Sequence, residues 1–132
     1  MSIRYLRGLI VKRPYVDLIL SGAKVWELRR TYTRIRGTIA LICDRAVVGL
    51  VDLIDVFKMG VDDLIEHVDK HCVPPDELYR YAGGRGELYV WVLARPRRLS
   101  KPIYFDFPRG AQVWVRLPRE VVDRVVREIC GE

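Results

Sequence analysis

Residues 14–30, PYVDLILSGAKVWELRR, change periodicity half-way, and that change sets the fold class. Tyr15, Val16, Leu18, Ile19 and Leu20 recur at i, i+3 and i+4, the stripe of a short amphipathic helix. Pro14 suits the first helical position, where its missing N–H has no intrahelical partner to lose. Asp17 falls in the first turn, where the positive end of the helix dipole favours an anion. Gly22 is placed to take the left-handed conformation that ends a helix. Beyond it the period falls to two. Lys24, Trp26, Leu28 and Arg30 share one face of an expected strand, and Val25, Glu27 and Arg29 share the other. Two readings of this polar face are open. It is either a solvated surface carrying a weak ion pair, or the place where Lys24, Glu27 and Arg29 converge as a recognition site.

Working outward, residues 9–12 read as a strand leading into Pro14, with Lys12 and Arg13 at the mouth of the helix. After Arg30 comes a basic loop holding Tyr32, Arg34 and Arg36. Residues 38–43 form a second strand and Asp44-Arg45 a polar turn. Residues 46–56 form a long strand, apolar on both faces and therefore central, in which Gly49 marks a bulge or a close backbone approach. Residues 61–72 read as one helix and residues 76–82 as a second, ended by Gly83-Gly84. Residues 87–95 are a strand that Pro96 ends, leaving Arg95, Arg97, Arg98 and Lys101 on a basic loop. Residues 111–117 are the last strand, and Pro118 opens a helix whose core stripe is Val121, Val122, Val125, Val126 and Ile129. No regular strand–helix alternation exists, which argues against a doubly wound sheet. The order fits an α+β fold, a mixed barrel-like sheet decorated by helices.

The length of 132 residues predicts a single domain spanning residues 1–132. Lys and Arg number 23 against 17 Asp and Glu, a formal net charge of +6, with Arg supplying most of the excess. Arginine suits planar, bidentate contacts to phosphate and carboxylate, so a polyanion is the expected partner class. The absence of Asn and the single Gln, Gln112, resemble the composition of a thermophile protein. Cys43, Cys72 and Cys130 have no CxxC spacing and form no disulfide framework, and Cys43 reads as a small buried hydrophobe. No apolar run approaches the roughly 20 residues that span a bilayer. Residues 1–8 carry Arg4 and Arg7 without the apolar stretch of a signal peptide, so a cytoplasmic protein with no membrane association is expected.

Few other constellations carry chemistry. His67 and His71 stand i, i+4 with Cys72 beside them, but no Glu occupies the HExxH place and no fourth ligand is evident. Packed histidines are the better reading, and neither a metal nor a cofactor is expected. Trp26, Trp91 and Trp114 alternate with apolar neighbours and read as core. Ser21 and Ser100 have no histidine near them in sequence, which argues against a serine triad.

Taken together, Lys12-Arg13-Pro14-Tyr15, Leu18-Ile19-Leu20-Ser21-Gly22 and then Lys24, Glu27 and Arg29 resemble the ASCH domain signature G-x-K-x-x-E-x-R. Gly49, Tyr89-x-Trp91 and Pro102…Gly110…Trp114 follow in the family's order. The resemblance implies a PUA-like β-barrel with a cleft between its first helix and the barrel. It also implies RNA binding, transcription coactivation or RNA processing. One branch of the family hydrolyses the acyl group of modified cytidines, with a threonine nucleophile three residues after the lysine, and another shows ribonuclease activity. Here Glu27 stands in the threonine's place.

The expected function is therefore an RNA- or nucleotide-binding module whose cleft recognises a single-stranded or modified nucleotide. The expected binding residues are Lys12, Pro14, Tyr15, Lys24, Glu27, Arg29, Arg30, Tyr32 and Arg34. The alternatives are a small hydrolase of modified nucleosides or RNA, using Lys24 and Glu27 as acid–base pair, and a protein-binding adaptor. The oligomeric state is open.

Overall fold

The computed structural model describes residues 5–131; Arg4, noted above in the N-terminal segment, lies outside them. The chain runs β1 (Arg7–Ile10), α1 (Tyr15–Ser21), β2 (Trp26–Arg29), β3 (Gly37–Cys43) and β4 (Ala46–Gly60). Three helical segments follow, α2 (Val61–Leu64), α3 (Val68–His71) and α4 (Pro75–Ala82), then β5 (Glu87–Tyr104), β6 (Trp114–Arg116) and α5 (Arg119–Cys130). The expected succession of strands and helices is therefore present. Pro14 is the residue before the first helical turn rather than in it, and Gly22 ends α1 at φ 88°.

The six strands form one mixed sheet in the order β2-β5-β4-β3-β1-β6, antiparallel except for β1 beside β3. Asp44 and Arg45, both at positive φ, make the two-residue turn that pairs β3 with β4. The α+β class and the mixed sheet are as expected, and among the described residues the ladder ends at β2 and β6 without closing into a barrel. The sheet is nevertheless coiled enough for its two ends to meet through side chains. Trp91 of β5 stacks on Trp114 of β6 with centroids 5.8 Å apart, and the Arg29 guanidinium of β2 donates to the Ile10 carbonyl of β1 at 3.0 Å. The result is an open seam between β2 and the β1–β6 pair.

Three expectations about elements change. Residues 61–72 are not one helix: a 3-10 turn over Ile65–His67 interrupts them. The break leaves the Leu64 carbonyl to the His71 ring, which donates to it through Nε2 at 2.7 Å. The second change concerns β5, which does not stop at Pro96 and continues to Tyr104. A register shift against β4, with Arg95 at positive φ, creates a bulge in which a proline's missing N–H costs no ladder bond. The basic residues beside it are accordingly on a strand, and three of them are paired, Arg98 with Asp17 of α1 at 3.4 Å. Arg95 and Arg97 both bind Asp52 (2.6 and 2.5 Å), and Thr38 donates to it at 2.9 Å. Burial pushes the Asp52 carboxyl up, and these hydrogen bonds outweigh it and hold the group below its ordinary value. The last strand is shorter than expected, Trp114–Arg116 only.

The core forms two clusters. One, around Leu9, Val16, Ile19, Leu53, Leu64, Leu78 and Trp91, joins α1 and the α2–α4 segment to the sheet. The other lies under α5, where Val121, Val122 and Val125 meet Ala40, Ile42, Leu50 and Val115. The close approach expected at Gly49 is present: a Cβ there would stand 2.4 Å from Leu20 of α1 and 2.7 Å from the Arg97 carbonyl. Gly49 thus sets how near α1 lies to the sheet.

Candidate functional site

A cleft of about 590 Å³ opens at the seam where the sheet fails to close. β1 and the turn after it contribute Ile10, Val11 and Lys12; β2 and its end contribute Glu27, Leu28, Arg29 and Arg30. α1 with its following bend supplies Tyr15 and Lys24, and α4 supplies Glu77, Arg80 and Tyr81.

The inner wall is a chain of ionisable side chains. The bend after Gly22 returns the backbone so that the Lys24 N–H donates to the Leu18 carbonyl at 3.0 Å. Lys24 therefore precedes β2 and is not bound by strand alternation. The expectation that it faces away from Glu27 is corrected, because its side chain turns inward and is only 2 % exposed. Lys24 Nζ donates to the His71 carbonyl at 2.5 Å, lies 3.5 Å from Glu27 Oε1 and sits 4.9 Å from the centre of the Tyr15 ring. Glu27 Oε2 accepts from Arg29 Nε at 2.8 Å and lies 2.6 Å from its Nη2, so the carboxylate is held between two cations. Glu27 is 7 % exposed, which excludes the reading of a solvated strand face. Burial pushes the Lys24 ammonium below its ordinary value, against the opposing pull of Glu27.

Tyr15 donates its hydroxyl to the Glu77 carboxylate, linking α1 to α4 across the cleft. Burial, then this hydrogen bond, raise the phenol's pKa well above its usual value. At the mouth, the exposed Arg30 donates from Nε to the Tyr81 carbonyl at 2.8 Å and lies over the Tyr81 ring at 4.4 Å. Lys12 and Arg80 complete an exposed cationic rim.

Of the residues expected from sequence, the fold brings Lys12, Tyr15, Lys24, Glu27, Arg29 and Arg30 into one cleft. Pro14, Tyr32 and Arg34 are exposed and do not line it. Tyr32 packs edge-on against Tyr89 instead, with Arg36 near its ring. Glu77, Arg80, Tyr81 and Gln112 were not anticipated. Their signal was present as i, i+3, i+4 spacing of polar residues on α4 and as the chain's sole amide, but nothing local shows which helix face meets a cleft. His71 is fully buried: its Nδ1 accepts from the Val73 N–H at 3.0 Å while Nε2 serves Leu64, so both ring nitrogens are engaged and burial lowers its pKa. His67 packs on Trp26, with ring centroids 5.3 Å apart.

Residues 9–103 match the family model of the ASCH domain. The chain belongs to the ASCH domain family. Its fold resembles that of ASCH from Zymomonas mobilis, whose crystal structure superposes with a TM-score of 0.76 at 17% identity, covering 94% of this chain and 95% of that one. A tyrosine-to-phenylalanine variant of the same bacterial protein gives 0.77 at 17% identity over 91% and 95% of the two chains. A serine-to-alanine variant gives 0.77 at 17% identity over 96% and 97%. At this identity the likeness is one of fold. No curated protein matches the sequence of this ASCH chain. No helix among its described residues is long and apolar enough to cross a membrane.

Proposed function

We propose that this ASCH protein binds RNA or a nucleotide in the cleft between α1 and the open seam of the sheet. The observation that carries the reading is the cleft's two-part lining. Lys12, Arg30 and Arg80 form an exposed rim suited to phosphate, and Tyr15, Leu28 and Glu77 line the wall beside it, where a base or sugar fits. Tyr81 at the mouth offers a ring on which a base stacks, with Arg30 already across it. Lys24, Glu27 and Arg29 act chiefly as the frame of this wall, since each is spent on the others or on a backbone carbonyl. The test is affinity for single-stranded RNA oligonucleotides by fluorescence anisotropy. Arg30→Ala and Lys12→Ala each weaken binding several-fold while leaving the melting temperature within a degree or two. Unchanged affinity in the combined variant contradicts the reading.

A second reading, hydrolysis of an acylated nucleoside or of RNA, draws on one observation: a buried lysine with a lowered pKa beside a carboxylate is suited to proton transfer. A panel of acylated nucleosides and RNA decides it. Turnover that disappears in Glu27→Gln supports the reading, and turnover that persists in that variant assigns the activity elsewhere.

A further inference from the structure

The hydrogen-bond parity of β2 has a chemical consequence for the cleft. The Leu93 N–H donates to the Val25 carbonyl at 2.8 Å, and the register pairs Trp26 with Val92, Glu27 with Trp91, Leu28 with Val90 and Arg29 with Tyr89. In an antiparallel ladder, hydrogen-bonded and non-hydrogen-bonded pairs alternate. The Val25 carbonyl and the main-chain groups of residues 27 and 29 therefore face β5, while the Val25 N–H donates to the Lys70 carbonyl at 2.9 Å. Leu28 falls on the other parity, so its N–H and C=O point away from β5. β2 is the last strand of the sheet, and the space on its outer side is the cleft that Leu28 lines. The Leu28 side chain is packed in the core. What this residue presents to the seam is its main chain, one donor and one acceptor side by side on an extended backbone.

Beside this pair, the neighbouring Arg29 side chain crosses the seam to the Ile10 carbonyl, which fixes the strand edge in place. Glu77 stands on the α4 wall, its carboxylate an acceptor for a ligand donor. A strand edge that is rigid, shielded from bulk solvent and, among the described residues, unpaired in both its N–H and its C=O is a template for a planar group with adjacent acceptor and donor. We propose that the Leu28 main chain reads the Watson–Crick edge of a nucleobase, the N–H donating to a ring nitrogen or carbonyl and the C=O accepting from a ring N–H or exocyclic amine. This rests on the nucleotide reading above and specifies which surface of the nucleotide enters the cleft. It makes the selection one of base edge and leaves the rim to hold phosphate without sequence preference.

The experiment uses the 15N-labelled full chain titrated with the four nucleoside 5′-monophosphates, and with 1-methyladenosine and 3-methyluridine monophosphates, whose Watson–Crick edges are blocked. The expected result is a downfield shift of the Leu28 amide and its protection from hydrogen exchange by at least one unmodified nucleotide. The Glu27 and Arg29 amides, already bound to β5, serve as internal controls and stay in place. Edge methylation of the preferred base weakens binding about tenfold or more, the size of a lost bidentate contact. Nucleotide binding that leaves the Leu28 amide unmoved, or that tolerates the methylated bases equally, overturns the base-edge assignment and leaves the phosphate-rim reading standing. Absence of binding by every monophosphate and by RNA overturns both.

Discussion

Lys24 concentrates what a single residue does here. Its side chain is buried and held by one carbonyl, one carboxylate and one aromatic face. Because burial lowers its pKa from the ordinary 10.5, the unfolded chain binds that proton more tightly than the folded one. Its contribution to stability is therefore fully present above 10.5 and is lost as pH falls through the folded-state value. Denaturant unfolding at a series of alkaline pH values checks this: the wild type gains stability relative to Lys24→Met as pH rises toward 10.5, and a constant difference contradicts it. His71 makes the same argument in acid. Its pKa is lowered by burial, so its contribution, present above 6.5, falls away as pH drops below that value. His71→Leu leaves the Val73 N–H and the Leu64 carbonyl unpaired in the core, for a loss of about 1–3 kcal/mol near pH 7, and it flattens the acid slope. At this scale the sequence was partly legible. The spacing of Lys24, Glu27 and Arg29 marked a polar group that packing alone does not explain. It did not show that Lys24 leaves the strand and turns inward, because that depends on a bend tied to the Leu18 carbonyl. Glu77, Arg80 and Tyr81 join the cleft only through long-range packing of α4.

Among elements, α1 forms one wall of the cleft, and Gly49 of β4 determines its distance from the sheet. Leu20 and the Arg97 carbonyl occupy the space that a side chain at Gly49 needs, and the carbonyl belongs to a paired strand and does not yield easily. Gly49→Ala is expected to destabilise the fold by about 1–3 kcal/mol through overpacking. It is also expected to weaken RNA binding more than stability alone explains, because it pushes α1 with Tyr15 outward. Thermal melts paired with anisotropy titrations below the melting range separate the two effects, and a variant as stable and as tight-binding as the wild type contradicts the account. The glycine signal was readable in sequence since it interrupts an otherwise apolar strand. The continuation of β5 through Pro96 was not. Proline ends most strands because it cannot donate to the ladder, but a bulge supplies a position where no donation is required. Locally the two cases look alike, and the register against β4 distinguishes them. The same limit applies to residues 61–72. Their apolar spacing predicts a continuous helix, and the interruption depends on a ring–carbonyl bond seven residues apart.

For the whole molecule, periodicity predicted the order of strands and helices, and the resemblance to the ASCH family was correctly read, the family model matching residues 9–103. Closure was not legible, because it depends on how far a coiled sheet turns before its ends meet. The answer here is an open seam bridged by Arg29 and by the Trp91–Trp114 stack, and the cleft lies in that seam. The net charge of +6 then has a place to act. Many of the cations are paired locally, as where Arg95 and Arg97 share Asp52, whereas Lys12 and Arg30 stand at the cleft without a carboxylate partner among the described residues. The most direct test is the salt dependence of single-stranded RNA binding in the wild type and in the Lys12→Ala/Arg30→Ala double variant. The log of the association constant is expected to fall linearly with log salt, by roughly 0.7 per phosphate contacted, and the double variant's slope to be shallower by about 1.4. Equal slopes in the two proteins, or no binding at low salt, would contradict an RNA-binding cleft at the open seam.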